Sequence, residues 1–466
     1  SNLLIDAQAD ATSHNFASGC SCMTNSTAGT FGSDASRDAV VSSVVYKGKL
    51  FISTSETDAA GVYRYDGGNT WTLVTNAVGK AVSGDTANID SFVLSVFNGA
   101  LYIGSQGTAN TAGLYSSSTA DTTSNSFTLV NATRGSFGLS QTAVDGVQDI
   151  TIWNGNLIIS TAEPNLAEVG RYDGGTTFAQ INATDGKLVS ETTADVDGFN
   201  LTVFAGKLFL GTMTGSTTAR VGVHAGVGTT IVALNATLGT FGANASMINV
   251  TSLQVYNNEL YAAVSNTNGA GVYRWLPEAS SVSTTVTNWN LVTNAVGKVV
   301  SADTANIDSY VLKNYNGRLY AGSQTAAGED TGALYEYDGT KGSWTLQNTT
   351  RGTFGAQTGV NAVSTLMSYN GTLYVGTDEG TNNVGSVYTW SKTDHNSYGL
   401  QFDSGSGNYG KLSFVGDNQP NDSGGHTGSF LFSHAIKLEA AAFDYAEDYS
   451  TLDSTLEPGE PVAVDP

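Results

Sequence analysis

The chain has 466 residues, 55 of them glycine and only 6 proline, and its 41 acids against 19 bases give a formal charge of −22. That charge excludes nucleic acid as a partner, since no basic patch could offset the repulsion from phosphates. At 40% hydrophobic the chain has ample material for a core, which excludes intrinsic disorder.

Charged residues are only 13% of the chain, and Ser, Thr, Asn and Gly fill most of the remaining polar positions. This is the profile of a turn-rich β protein. Cys20 and Cys22 stand too close for an unstrained disulfide, so cysteine usage leaves the redox compartment open. No run of 18 apolar residues occurs, so no membrane-spanning helix is expected. The start at Ser1, without a secretion signal, points to a processed protein or an excised piece.

The first predicted element is Asn25-Ser26-Thr27-Ala28-Gly29-Thr30-Phe31-Gly32. It matches 131–138, 235–242 and 348–355, each with Phe just before a final Gly that lies seven residues after an Asn. Next comes Tyr46-Lys47-Gly48-Lys49-Leu50-Phe51, which reads as a strand, a tight turn and a second strand. The pattern returns with turns at Asn98-Gly99, Asn154-Gly155, Ala205-Gly206, Asn257-Asn258, Asn316-Gly317 and Asn370-Gly371, about 54 residues apart. Asn-Gly between apolar runs marks a hairpin, because a type I′ turn needs positive φ at both central residues.

A third strand follows each hairpin. It is clearest at Gly61-Val62-Tyr63-Arg64-Tyr65 and Gly271-Val272-Tyr273-Arg274-Trp275, and weaker at Gly113–Tyr115, Ala333–Tyr335 and Ser386–Tyr388. A fourth begins near Trp71, Phe127, Phe178, Trp289 and Trp344. Seven repeats of four short strands predict an all-β, seven-bladed β-propeller over 1–392. The seventh repeat lacks its fourth strand after Trp390. The N-terminal segment is therefore expected to complete blade seven and close the ring, leaving no open sheet edge.

Residues 393–466 are expected to form a small β-rich, acidic C-terminal module or tail that serves assembly. Its expected strands are Leu400–Phe402, Lys411–Val415 and Phe430–Lys437, followed by eight acids from Glu439 to Asp465.

Asp66-Gly67-Gly68-Asn69-Thr70-Trp71 and Asp173-Gly174-Gly175-Thr176-Thr177-Phe178 resemble the Asp-box of sialidase-like and kelch-like bacterial propellers. In that family the box is a structural turn between third and fourth strands, and Arg64 and Arg171 stand where it usually has Ser. The resemblance covers roughly residues 20–392 as architecture and implies no catalysis, because the sialidase arginine cluster and Arg-Ile-Pro motif are missing. The stretches Phe443–Tyr449 and Leu456–Val462 resemble phage tail-fibre or bacterial surface-protein endings.

Asp38, Asp90, Asp145, Asp197 and Asp308, with Asn249 and Asn361, each precede the innermost strand of a repeat. They are expected to ring one mouth of the central channel. Clustered carboxylates suit a hard cation such as calcium; Asp and Asn also fix turns through side-chain to backbone bonds. The polar loops after the second strands should lie on that same face, where binding usually resides. The aromatics before the hairpin turns are expected to pack between blades. Ten Asn-X-Ser/Thr sequons occur, five of them at the repeated fourth-strand position.

The five histidines show no metal-ligand spacing, and no nucleophile elbow, P-loop or dinucleotide fingerprint is present. The expectation is a non-enzymatic extracellular protein of a cell or virion surface. It is either an adhesive, receptor-binding head or a structural subunit of a fibre or appendage. Its partners would be a surface glycan, a protein receptor or copies of itself as a homo-oligomer. The alternative is a propeller-type carbohydrate-active enzyme, with acid pairs assembled from distant blades.

Overall fold

The computed structural model describes residues 24–390 except 108–109, 190–195, 225, 227, 236, 276–288, 305, 326–330, 349 and 379–384, and the backbone of 400–403 and 411–414. Two compact units divide the chain: Gln8–Asp394, and Ser1–Ala7 with His395–Pro466. Every regular element among the described residues is a strand.

In the larger unit the strands fall into seven antiparallel repeats, spanning 39–73, 89–129, 146–180, 196–233, 249–291, 307–346 and 362–390. Repeat one shows the plan, with strands Ala39–Tyr46, Lys49–Ser55, Val62–Gly67 and Thr70–Leu73. All seven hairpin turns adopt positive φ at both central residues, from Lys47 (45°) and Gly48 (73°) to Asn370 (47°) and Gly371 (72°). Asn and Gly tolerate that region best, so the turn chemistry fixes the register: Tyr46 opposes Lys49 and Tyr369 opposes Thr372.

Repeats one to six have a fourth strand of their own, and among the described residues repeat seven has three, the last at Val387–Trp390. Residues 24–37 lie against that third strand. Thr24 N–H donates to Val387 O (2.8 Å), Gly29 N–H to Gly385 O (2.9 Å) and Gly385 N–H to Arg37 O (2.8 Å). Asn25 Oδ1 accepts from Val387 N–H at 3.1 Å, and its Nδ2 donates to Thr27 O at 2.7 Å.

Asn131, Asn182, Asn235 and Asn348 make the same pair of bonds: each Oδ1 accepts from an N–H of the third strand of repeats two, three, four and six, and each Nδ2 donates to the carbonyl two residues on. These five sequon asparagines are buried, at 1–4% exposure, and act as caps.

Each first strand lies against the first strand of the next repeat, and that of repeat seven lies against that of repeat one. Seven apolar clusters fill the spaces between consecutive repeats. The last joins Val387 and Tyr374 of repeat seven to Val40, Ile52, Tyr63 and Trp71 of repeat one, with Phe31 between them.

The aromatics before the turns do pack between repeats. Tyr46 OH donates to Gly99 O (3.0 Å), Trp153 Nε1 to Gly206 O (3.0 Å), and Tyr369 OH to Gly48 O (3.0 Å).

The third strand of repeat four, Val221–His224, had no clear sequence signal, and that of repeat three, Val169–Gly174, was marked only by the Asp-box turn at its end. Where other repeats have Tyr63, Tyr115, Tyr273, Tyr335 and Tyr388, these two have Gly170 and Gly222. Two residues earlier the exchange is reversed. Glu168 and Arg220 stand where Gly61, Gly113 and Gly271 make room for the tyrosine ring.

In the smaller unit Leu400–Asp403 and Lys411–Phe414 pair antiparallel, with Leu400 opposite Phe414. The expected strand at 430–437 and the acids beyond it lie outside the described residues, as do Cys20 and Cys22. No helix among the described residues is long and apolar enough to cross a membrane.

Candidate functional site

One face of the larger unit carries the loops between second and third strands and the crossovers that lead into the next repeat. Four of these loops contain a residue with positive φ: Asp58, Asn110, Asn165 and Asn268, at 54–61°. The N–H of each points into the next repeat and donates to a carboxylate there. The acceptors are Asp90 (2.6 Å), Asp145 (2.7 Å), Asp197 (2.7 Å) and Asp308 (2.6 Å). Asn249 plays the same part for Thr214 N–H, at 2.6 Å. The repeated acid thus fixes the loop of the preceding repeat, as a charge-assisted bond to backbone.

The sequence placed these residues ahead of the strand, and for several that needs correction. Asp90, Asp197 and Asp308 are the second residues of their strands, and Asn249 is the first residue of its own. The reason is a β-bulge. Ile89 pairs with Gly107 and Ser91 with Gln106, so Asp90 is the extra residue and the ladder begins before it. Asp38, Asp145 and Asn361 do precede their strands.

Asp38 is part of a carboxylate pair with Glu56. Partial burial and the nearby Asp38 charge push the Glu56 carboxyl up. Burial and Asp145 do the same to Glu163, whose Oε2 accepts from Asp145 N–H at 3.1 Å. No group of three or more His, Cys, Asp or Glu side chains among the described residues is placed to hold a metal ion.

The sequence reading missed the arginines that staple this rim. Arg134 donates to Thr111 O (3.0 Å) and Asn88 Oδ1 (3.1 Å), and Arg351 to Thr331 O (3.2 Å) and Asn306 Oδ1 (2.8 Å). Their shared context, Thr133-Arg134-Gly135 and Thr350-Arg351-Gly352, was the available signal.

Below the rim, Asp149 crosses from repeat three to repeat four. Its Oδ2 accepts from Leu201 N–H and its Oδ1 from Ile150 N–H, both at 2.7 Å. Burial pushes its carboxyl up to about 6, against those two bonds, which hold it down. In repeats one and five the equivalent bond goes to a hydroxyl, Leu94 N–H to Ser42 and Leu312 N–H to Ser252.

A raised carboxyl in the folded state means that the fold binds the proton more tightly than the unfolded chain, whose Asp titrates near 3.9. Stability from this site is therefore full below pH ~4 and is lost as pH rises through about 6, by roughly 2–3 kcal/mol. Asp149→Ser keeps an oxygen for Leu201 and removes the buried charge. It should flatten the decline in melting temperature between pH 5 and pH 8; identical slopes in both proteins would contradict this.

No family model matches the chain, and no curated protein matches it. Among solved structures it is similar to that titled "Structure of YjhT", at 10% identity and a TM-score of 0.43, covering 70% of this chain and 100% of that one. A structure from a study of two prolyl endopeptidases is similar at 11% identity and a TM-score of 0.43, over 80% of this chain but 53% of that one. The SapL1 lectin in complex with alpha methyl fucoside is similar at 9% identity and a TM-score of 0.41, over 67% of this chain and 96% of that one.

Proposed function

We propose that the seven repeats close as a seven-bladed β-propeller and that this ring is a non-enzymatic recognition body at a cell or particle surface. Support for closure comes from bonds that repeat seven makes to repeat one in the same way as earlier neighbours do. Tyr369 to Gly48 repeats Tyr46 to Gly99, and Trp71 Nε1 donates to Thr24 O (2.9 Å) as Trp344 Nε1 does to Val292 O (3.0 Å).

The observation that carries the functional reading is the loop face itself. The polar loops of repeats one to five, each held to the next repeat through an Asp or Asn side chain, form a preorganised surface that loses little entropy on binding. The partner class is a surface glycan or a protein receptor, and residues 393–466 are the element that joins the head to its assembly.

A turnover screen on polysaccharides, run beside a binding assay on intact cells and immobilised glycans, tests this. Retention without product release is expected. Catalytic release of sugar would replace the reading with a carbohydrate-active enzyme.

A further inference from the structure

In repeats one and six a tyrosine ties the third strand to the crossover that precedes it. Tyr63 OH donates to Asp34 Oδ2 (3.1 Å) and Tyr335 OH to Asp303 Oδ2 (3.2 Å). Burial and the facing aspartate push both phenols up, so they keep their protons at every physiological pH. Repeat three has Gly170 in that tyrosine's place, and Glu168 makes the tie with a carboxyl instead. The side chain is fully buried. Its Oε1 accepts from Ser140 N–H (2.8 Å) and Gln141 N–H (3.1 Å), and lies 2.6 Å from Ser140 Oγ. Ser140 Oγ also meets Oδ2 of Asp185, from the crossover that follows the repeat. Asp185 accepts in addition from Gln141 Nε2 (2.8 Å) and Gln180 Nε2 (2.7 Å).

A hydroxyl carries one hydrogen and a carboxylate none. With both carboxyls charged, Ser140 can serve one of them, and the other contact joins two oxygens with no hydrogen between them. The cluster closes only with a proton on one carboxyl. Burial pushes the Glu168 carboxyl up and the Asp185 charge adds to it, against the bonds from Ser140 and Gln141. Burial acts on Asp185 too, but bonds from Ser140, Gln141, Gln180 and Glu168 hold it below the usual carboxylate range. The pair thus holds its proton on the Glu168 side. Glu168 Oε2 is buried and accepts no hydrogen bond among the described residues, a cost that falls when the carboxyl is neutral. Lys187, two residues beyond Asp185, forms no ion pair with either carboxyl among the described residues.

We infer that Glu168 and Asp185 share one proton and that its loss at rising pH frees the loop 163–168, which makes this sector of the loop face a pH-controlled contact. Glu168 closes that loop: its N–H donates to Thr161 Oγ1 (2.8 Å) and its carbonyl accepts from Thr161 N–H (2.9 Å). The loop also presents Leu166, a large apolar side chain left 37% exposed. The Glu168 contribution is complete below its unfolded value, about 4.3, and is lost as pH rises through its raised folded value. That of Asp185 is present above about 3.9 and is lost as pH falls through its lowered one. The closed cluster is therefore the form of mildly acidic solution. That the loop touches a partner rests on the recognition reading above; the shared proton does not.

Amide hydrogen exchange on the full chain at pH 5 and pH 8, corrected for the intrinsic rate, tests the inference. Asn165 is the reporter and Asp58 the control, since both N–H groups donate to an aspartate of the next repeat. Protection at Asn165 should fall about tenfold relative to Asp58 on going to pH 8, as for the loss of one net hydrogen bond. Glu168→Gln keeps a donor toward Asp185 without the charge, so Asn165 should stay protected at pH 8. Asp185→Asn should do the same, and decides the matter should Glu168→Gln fail to fold. Equal behaviour of Asn165 and Asp58, or a wild-type response in both variants, overturns the inference. Adhesion to cells should be stronger at pH 5 than at pH 8, and equal adhesion would remove the loop's role in contact. If protection switches but the chain adheres to no surface, the shared proton stands and the recognition reading falls.

Discussion

Deleting residues 1–35 should abolish cooperative melting near physiological temperature and leave an aggregating protein. The segment contributes Phe31, which is fully buried among Val40, Ile52, Tyr63, Trp71 and Val387. Emptying a buried Phe site alone costs about 3–5 kcal/mol. Removal also strands two buried donors, Val387 N–H and the Trp71 indole, at roughly 1–3 kcal/mol each. Domains of ordinary stability hold only about 5–15 kcal/mol in total, so the sum removes most of it. The exposed third strand of repeat seven would then offer an open edge to other copies. Calorimetry with light scattering checks this. A monomer with an unchanged melt would mean that the N-terminal segment is dispensable.

Gly186→Val should cost about 3–5 kcal/mol and loosen the loop that holds Asn165 against Asp197. Gly186 sits at φ +65°, where an L side chain is strained, and its N–H donates to Ala167 O at 2.9 Å. A Cβ there would stand 1.8 Å from the Asn165 carbonyl oxygen, a backbone atom that cannot rotate away. Gly155 isolates the backbone strain. It has φ +75° with nothing within 4 Å of a Cβ, so Gly155→Ala should cost only the strain of the left-handed backbone, about 1–2 kcal/mol. Chemical denaturation of both variants measures the gap, and equal losses would show that the close approach to Asn165 is not what the glycine protects.

Much of the fold was legible because the repeat advertises its turns. Two-residue turns, four of them Asn-Gly, set seven hairpins in the right register, and the Asn25 match to Asn131, Asn235 and Asn348 aligned the N-terminal segment with the exits of other fourth strands. What escaped was compensated substitution. In repeats three and four the strand-marking tyrosine gives way to Gly170 and Gly222, while Glu168 and Arg220 take up the exchange, and only repeat three keeps a local pattern, the Arg-Tyr-Asp-Gly-Gly shared by 64–68 and 171–175.

The candidate site was half legible. The acids were found by spacing, but Asp90, Asp197 and Asp308 stand within their strands because a bulge adds a residue. Their partners lie about 30–40 residues upstream in another repeat, beyond any motif.

Hydrogen exchange at the Val387 amide tests the central claim most directly, since that N–H is held by a side chain 362 residues away. If the N-terminal segment completes repeat seven, Val387 should exchange as slowly as Leu114 and Leu334, whose amides are held by Asn131 and Asn348. Asn25→Ala should then accelerate Val387 while leaving those two unchanged. Fast exchange at Val387 in the intact chain, at the rate of an open strand edge, would contradict the account.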